Sequence, residues 1–326
     1  MLSIIIPYHN EGAEFIQKTV DSINATIDIP SYEIIIVDDF SQQPLANIKD
    51  ARIIRHDKNK GVGAAFDTGA SYAQYDRLFL IGSDIRFCDP WASKIVEEID
   101  KNPKSLICTT CVGLNNMQFY DKKGNFIDNM DIKRRRKISR RNGATILLYH
   151  DKKAEPHKSD DFRNIIEAKW LPVTTDMATH EIPCILGASY GVNKSWYQYI
   201  DGFCGHKSWG TLEPYISLKS WLFGGNCLTA PLIETGHIFK QEGTHNPPLH
   251  HLIYNKMFVA TVLFDDSLKD RLIAFLGRNI TVDKARKEYE LDYQYICTKK
   301  EEYRSKIVID PIEFFNRWDI DLRLND

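Results

Sequence analysis

Apolar residues over the first ninety positions come in short β-branched runs, each halted by a polar cluster. Leu2 to Ile6 stops at Pro7, Glu33 to Val37 stops at Asp38 and Asp39, and Arg52 to Arg55 leads into Asn59, Lys60 and Gly61. A fourth run opens the stretch RLFLIGSDIRFCDP, from Arg77 to Pro90. Continuous apolar runs of this length predict strands buried on both faces of a parallel sheet. Between them the period changes: Phe15, Ile16, Thr19, Val20 and Ile23 fall at helical spacing, and small residues from Gly63 to Ala73 predict a second helix. Strands alternating with helices imply right-handed crossovers, so the first part of the chain reads as an α/β, Rossmann-like half-sheet.

Further on the pattern predicts a helix from Pro90 to about Asp100 and a strand from Leu106 to Val112. Residues 113 to 182 are more polar and less periodic. Strand character returns over Ile182 to Val192, followed by a helix over Lys194 to Ile200 and another over Trp209 to Phe223, ended by Gly224 and Gly225. Short strands are expected around Cys227 to Ala230 and Ile233 to Phe239. The tail from 241 onward opens with turn residues, Gly243 to Pro248, and then reads mainly as helix, including Leu249 to Leu263 and Val282 to Leu291.

Composition narrows this only slightly. With 326 residues, 43% hydrophobic and 26% charged, the chain has the make-up of a globular protein able to bury a sizeable core. A net charge of -2 gives no global attraction to nucleic acid or anionic lipid, so any such partner needs a local patch. One exists: Lys133 to Arg141, KRRRKISRR, holds seven basic residues in nine and suits a polyanion such as nucleic acid or an acidic glycan, although most such runs are solvated loops. The cysteines are odd in number and mostly embedded in apolar runs, as in a reducing compartment; Cys108 and Cys111 lack a second pair to complete a zinc site and read as buried strand cysteines. No apolar run reaches the ~18 to 20 residues of a membrane span, and the first strand starts at Leu2, so a cytoplasmic protein is expected.

Candidate chemistry collects where strands end, because ligands of open α/β sheets lie beyond the carboxyl ends of the strands. The positions are Pro7, Tyr8, His9 and Glu11 after the first strand, Asp38 and Asp39 after the second, Lys60 and Gly61 after the third, and Ser83 and Asp84 after the fourth. Asp84 is a lone carboxylate at a strand tip; taken alone it could equally satisfy backbone groups of a turn. The dinucleotide fingerprint GxGxxG is missing, since Gly61, Val62, Gly63 runs into Ala64, Ala65, Phe66. The phosphate-cradling GxxxxGK[ST] loop is missing too. Both absences argue against a dehydrogenase and a phosphate-loop ATPase.

Taken in order, IPYHNEG, IVDDFS, NKGVGAAFDTGA, IGSD, the WG of Trp209 and Gly210, and GHIF resemble nucleotide-sugar glycosyltransferases of the GT-A fold, family 2 type. The second half is similar to polypeptide N-acetylgalactosaminyltransferases and chondroitin-type polymerases. The resemblance implies a GT-A domain over residues 1 to 240, with a nucleotide-binding half to residue 112 and an acceptor half beyond it. It also implies a lid segment and a helical C-terminal extension over 241 to 326. It further implies a UDP-sugar donor and a Mn2+ or Mg2+ ion. The last residue of the family's acidic metal motif is matched by Asp84, with Gly82 in place of its first aspartate, and the family's late-strand histidine is matched by His237. Glu213 falls at the position of the family's general base, Leu212 standing where its glutamate would be. Gly187 and Trp209 would border the sugar, and Lys60 would face phosphate. Phe314 replaces the glutamine of the QxxRW motif ahead of Arg317 and Trp318, which excludes a processive membrane synthase. The expected function is therefore metal-dependent transfer of one sugar to a hydroxyl acceptor. A non-catalytic nucleotide or nucleic-acid binding module and a nucleotidyltransferase are the alternatives.

Overall fold

The computed structural model describes residues 1–87, 89–115, 140–149, 165–172, 176–239 and 247–322. The opening runs form β1 (Leu2–Tyr8), β2 (Tyr32–Asp38), β3 (Arg52–Arg55) and β4 (Arg77–Ile81), joined by α1 (Ala13–Thr26) and α2 (Val62–Tyr72). β1 pairs in parallel with both β2 and β4, and β2 with β3, as crossover helices require. β1 alternates strictly: Ile5 joins one core with Ile35, Val37 and Leu80, while Ile4 and Ile6 join another with Ile34, Ile36 and Phe79. The sheet is thus covered on both faces, which is why its strands read as unbroken apolar runs. Gly69 allows α2 to lie directly on β1, since a Cβ there would stand 2.2 Å from Ile5.

The remaining sheet is mixed. β5 (Ile85–Arg86), α3 (Ala92–Lys101) and β6 (Ser105–Asn115) follow β4; β7 (Arg140–Arg141) pairs with β6. β8 (Ala144–Tyr149) and β9 (Ile165–Trp170) form a separate two-stranded antiparallel ribbon. After β10 (His180–Glu181) comes β11 (Ser189–Asn193), then α4 (Lys194–Tyr199), α5 (Leu212–Leu222) and β12 (Asn226–Phe239). The main sheet runs β10-β12-β6-β11-β4-β1-β2-β3, with β11 antiparallel to both β4 and β6 and β12 parallel to β6.

Three expectations change. Ile182 to Ala188 is not strand: only Ser189–Asn193 continues the sheet, because Gly187 (φ 123) and Ala188 (φ 60) turn the chain into the crevice. The helix expected from Trp209 begins at Leu212, since Gly210 (φ 96) and Thr211 (φ 61) lie outside helical space. The two short strands around Cys227 and Ile233 are one strand, interrupted by a bulge between Ala230 and Glu234. The helical tail is present as α6 (Leu249–Leu263), α7 (Asp266–Phe275), α8 (Ile280–Leu291), α9 (Tyr293–Lys306) and α10 (Pro311–Arg317). Its apolar residues, among them Phe258, Ile296 and Phe315, belong to the same core as Leu80 and Trp221. No helix among the described residues is long and apolar enough to cross a membrane.

Candidate active site

The turn after β4 carries Gly82, Ser83 and Asp84. Its shape is set by the Gly82 N–H donating to the Ala188 carbonyl at 2.8 Å and by the Thr19 hydroxyl donating to the Ser83 carbonyl. β5 then pairs with β12, placing His237 opposite Ile85, and the Ile238 N–H donates to the Asp84 carbonyl at 3.1 Å. The two side chains, 153 residues apart in sequence by subtraction of their numbers, stand with Asp84 Oδ1 3.5 Å from His237 Nε2. Both side chains are mostly enclosed, at 17% and 18% exposure. Adjacent ligands of an octahedral ion with bonds of ~2.1 Å stand roughly 3 Å apart, so a carboxylate and an imidazole at this separation fit one divalent cation.

Gly82 occupies the position of the missing aspartate for a local reason. A Cβ there would sit 2.5 Å from Asp84 Oδ1 and 3.5 Å from the Ala188 methyl, so the space a side chain needs is taken by Asp84 itself.

Glu213 lies in the first turn of α5, where a carboxylate is favoured by the helix dipole. Its Oε1 accepts a 3.0 Å hydrogen bond from the Tyr190 hydroxyl, and the same hydroxyl accepts from the Ala188 N–H at 2.9 Å. Burial raises the Glu213 pKa and the Glu167 carboxylate adds to the rise, while the Tyr190 hydrogen bond and the charge of His237 pull it down. The interaction with His237 places Glu213 in the same electrostatic neighbourhood as the Asp84–His237 pair. Cys111, on β6, also faces this region: burial first, then Cys108 and after it Asp84, push its thiol up to about 12, so it is no nucleophile at neutral pH.

The residues expected to face a nucleotide divide into two groups. Glu11 is a brace, its Oε2 accepting from the His9 N–H at 2.6 Å and its Oε1 from the Ser83 hydroxyl at 3.0 Å, which ties the β1 turn to the β4 turn. His9 Nδ1 meets the Asp39 carbonyl at 2.7 Å. The Tyr8 hydroxyl accepts from the Gly12 N–H at 3.0 Å, and only Pro7, His9 and Glu11 of this set are partly exposed. Asp38 is a correction: it is fully buried, with its oxygens taken by the N–H groups of Ser41 and Leu45 and by Arg55, so it shapes the turn after β2 and does not face the crevice. Burial would raise its pKa, but these hydrogen bonds outweigh that and hold it low. Its neighbour Asp39 accepts from the Lys60 and Gly61 N–H groups, at 2.7 Å each, and fixes the loop into α2. The Lys60 ammonium sits at the surface 2.9 Å from Asp57.

Gly61 connects the two halves. A Cβ on it would meet the Ser208 carbonyl oxygen at 2.4 Å, and the Val62 N–H donates to that carbonyl at 3.1 Å. Trp209 follows Ser208 and is 55% exposed, open to a ligand and outside the core, whereas Trp221 is 2% exposed and packed. Gly187 takes φ 123 where a Cβ would stand 3.0 Å from that of Cys111. Sequence reasoning missed Tyr190 as the partner of Glu213, and nothing in its strand pattern marks it. The basic run lies outside the described residues except for Arg140 and Arg141; Arg140 donates to the Pro231 carbonyl at 2.8 Å and sits 3.8 Å from Glu234.

A mixed sheet with a carboxylate, a late-strand imidazole and a first-turn glutamate at one end defines a GT-A fold. The crystal structure of GalNAc-T7 with UDP, GalNAc and Mn2+ matches at a TM-score of 0.71 and 21% identity, over 97% of this chain and 56% of that one. Residues 3–154 match the model of Glycosyl transferase family 2. Among curated relatives, polypeptide N-acetylgalactosaminyltransferase 10 of Homo sapiens is 26% identical over 286 residues, covering 81% of this chain and 42% of the relative. Polypeptide N-acetylgalactosaminyltransferase 11 of Xenopus tropicalis is 24% identical over 299 residues, covering 84% and 44%. The chain thus spans less than half the length of these relatives.

Proposed function

We propose that this protein transfers a single sugar from a nucleoside diphosphate donor, UDP being the expected nucleotide, to a hydroxyl acceptor, with a divalent cation held by Asp84 and His237. The observation that carries this reading is the 3.5 Å approach of Asp84 Oδ1 to His237 Nε2 at the mouth of a GT-A sheet. The match of residues 3–154 to the Glycosyl transferase family 2 model supports it, as does the likeness to a GalNAc-T7 structure that contains UDP, GalNAc and Mn2+. A bound Mn2+ or Mg2+ supplies electrostatic stabilisation of the charge gathering on the leaving diphosphate.

The chain's own residues do the rest. Glu11 and Asp39 hold the β1, β4 and α2 turns in place around the nucleotide, and Gly187 and Trp209 border the sugar. Glu213 is the candidate base: as the acceptor oxygen bonds to the anomeric carbon and the bond to the diphosphate oxygen breaks, its carboxylate takes the acceptor's proton. A raised pKa suits that task, because a base poised nearer the working pH removes a proton more effectively. The acceptor class we assign is an anionic polymer, nucleic acid or acidic glycan, on the strength of Lys133 to Arg141 in the sequence.

The test is a panel of nucleotide sugars in thermal-shift and transfer assays, with and without Mn2+. One donor should raise the melting temperature in a Mn2+-dependent manner and be consumed. Asp84→Asn and His237→Ala should lose the Mn2+ dependence of binding, and Glu213→Gln should lower turnover roughly 10²- to 10⁴-fold while keeping donor affinity. A wild-type chain that binds no nucleotide sugar, or variants that keep full turnover, would overturn the reading.

A further inference from the structure

A second cluster of metal-ligating side chains lies away from the crevice. His250 and His251 occupy the first turn of α6, and Glu288 projects from α8. His250 Nε2 is 2.9 Å from Glu288 Oε1, and His251 Nε2 is 3.5 Å from Glu288 Oε2. One ligand atom from each of the three residues lies within 4.8 Å of the others. In a tetrahedral zinc site with bonds of 2.0–2.1 Å the ligand atoms stand about 3.3 Å apart, so small relaxations bring these atoms onto one ion.

The surroundings are those of a held ligand set. The Ser208 hydroxyl is 2.6 Å from His251 Nδ1; with Nδ1–H donating to it, the Nε2 lone pair is left directed at Glu288. Such an outer contact fixes the tautomer of a metal-bound imidazole. Lys207 Nζ holds Glu288 Oε2 at 3.1 Å and Asp292 Oδ2 at 2.8 Å, which orients the carboxylate and leaves Oε1 facing His250. Asp292 offsets the ammonium, so with neutral imidazoles the cluster carries one net negative charge before an ion enters.

We infer that His250, His251 and Glu288 form a second metal site, for a divalent transition ion of the zinc type, that fastens the turn before α5 to the C-terminal helices. Two imidazoles and one carboxylate make a ligand set that favours zinc over magnesium or calcium, with a fourth position for water. The Asn255 side chain ties the same turn to α6 independently, with Oδ1 accepting from the Lys207 N–H at 2.8 Å and Nδ2 donating to the Lys207 carbonyl at 2.9 Å. Because the Ser208 carbonyl touches the Gly61 loop, an ion here would stiffen the acceptor side of the crevice from behind without touching substrate.

The test uses the full chain, stripped with EDTA and titrated with Co2+ alone and then Zn2+ alone. Expected is one equivalent of Co2+ with the intense visible absorption of a four-coordinate ion, displaced by Zn2+ and retained in His237→Ala. His250→Ala and Glu288→Gln should abolish that spectrum, and Ser208→Ala should weaken binding about tenfold. Zn2+ should raise the melting temperature of the wild type and leave that of Glu288→Gln unchanged, which keeps the inference testable if His250→Ala fails to fold. No four-coordinate Co2+ spectrum in the wild type, or one that survives both substitutions, would show that these residues only hydrogen-bond to one another.

Discussion

At the scale of single residues, the hydroxyl of Tyr190 has the widest reach, because it accepts from the Ala188 N–H and donates to Glu213. Removing it in Tyr190→Phe takes away a hydrogen bond that favours the charged carboxylate. The Glu213 pKa, already raised by burial, then rises further. A base works only above its pKa, so the acid limb of the pH–rate profile should move to higher pH. An unmoved limb would separate Glu213 from the proton transfer. Gly82 makes a sharper case: Gly82→Ala places a methyl 2.5 Å from Asp84 Oδ1, an atom at the free end of a side chain that can swing aside. Stability should change by less than about 0.5 kcal/mol, while Mn2+ affinity falls on the order of tenfold, measured by chemical denaturation and metal titration.

Among the elements, the strands whose faces are both buried were plain in the sequence, and so was α6, whose observed limits are Leu249–Leu263. The ribbon of β8 and β9 was not: its short, partly exposed strands sit in a polar stretch, and its pairing is antiparallel and off the main sheet. The start of α5 was also misread, because helical spacing cannot register the positive φ values of Gly210 and Thr211. For the site, motif order singled out Asp84, Glu213 and His237, and the fold brings Asp84 and His237 to 3.5 Å, whereas the burial of both Asp38 and Asp39 depends on turn hydrogen bonds that spacing does not reveal. The α2 entrance gives the prediction at this scale. Gly61 holds φ 92 and ψ 163, a region almost confined to glycine, and a Cβ would collide with Ser208 backbone atoms. Gly61→Ala should cost more than about 2 kcal/mol in a urea melt and weaken donor binding, since the loop and the turn before Trp209 must separate.

For the whole molecule, His206 shows how the tail and the sheet share one interior. Its ring stacks on Tyr215 at 4.5 Å and meets Phe258 of α6 edge-on at 6.4 Å. Burial first, then the Lys219 ammonium, push its pKa down to about 3 from an ordinary 6.5. A folded pKa below the unfolded one means that the unfolded chain binds the extra proton. The stability is therefore full above pH 6.5 and is lost as pH falls toward 3, by at most about 1.4 kcal/mol per pH unit. His206→Phe should flatten that slope by one proton's worth in denaturation curves taken across the window, and an identical slope would mean the ring is protonated when folded. The bulge in β12 has a different kind of reach. Between Ala230 and Glu234 the strand takes up extra chain against β6 and then resumes pairing through His237 opposite Gly113. Because neighbouring strand residues point to opposite faces, losing or gaining a single codon there would rotate the imidazole to the far side while the sheet still formed. The arithmetic of that short detour thus acts as a gauge, and homologous chains with a different count would be expected to keep the architecture and lose the cation site proposed at Asp84 and His237.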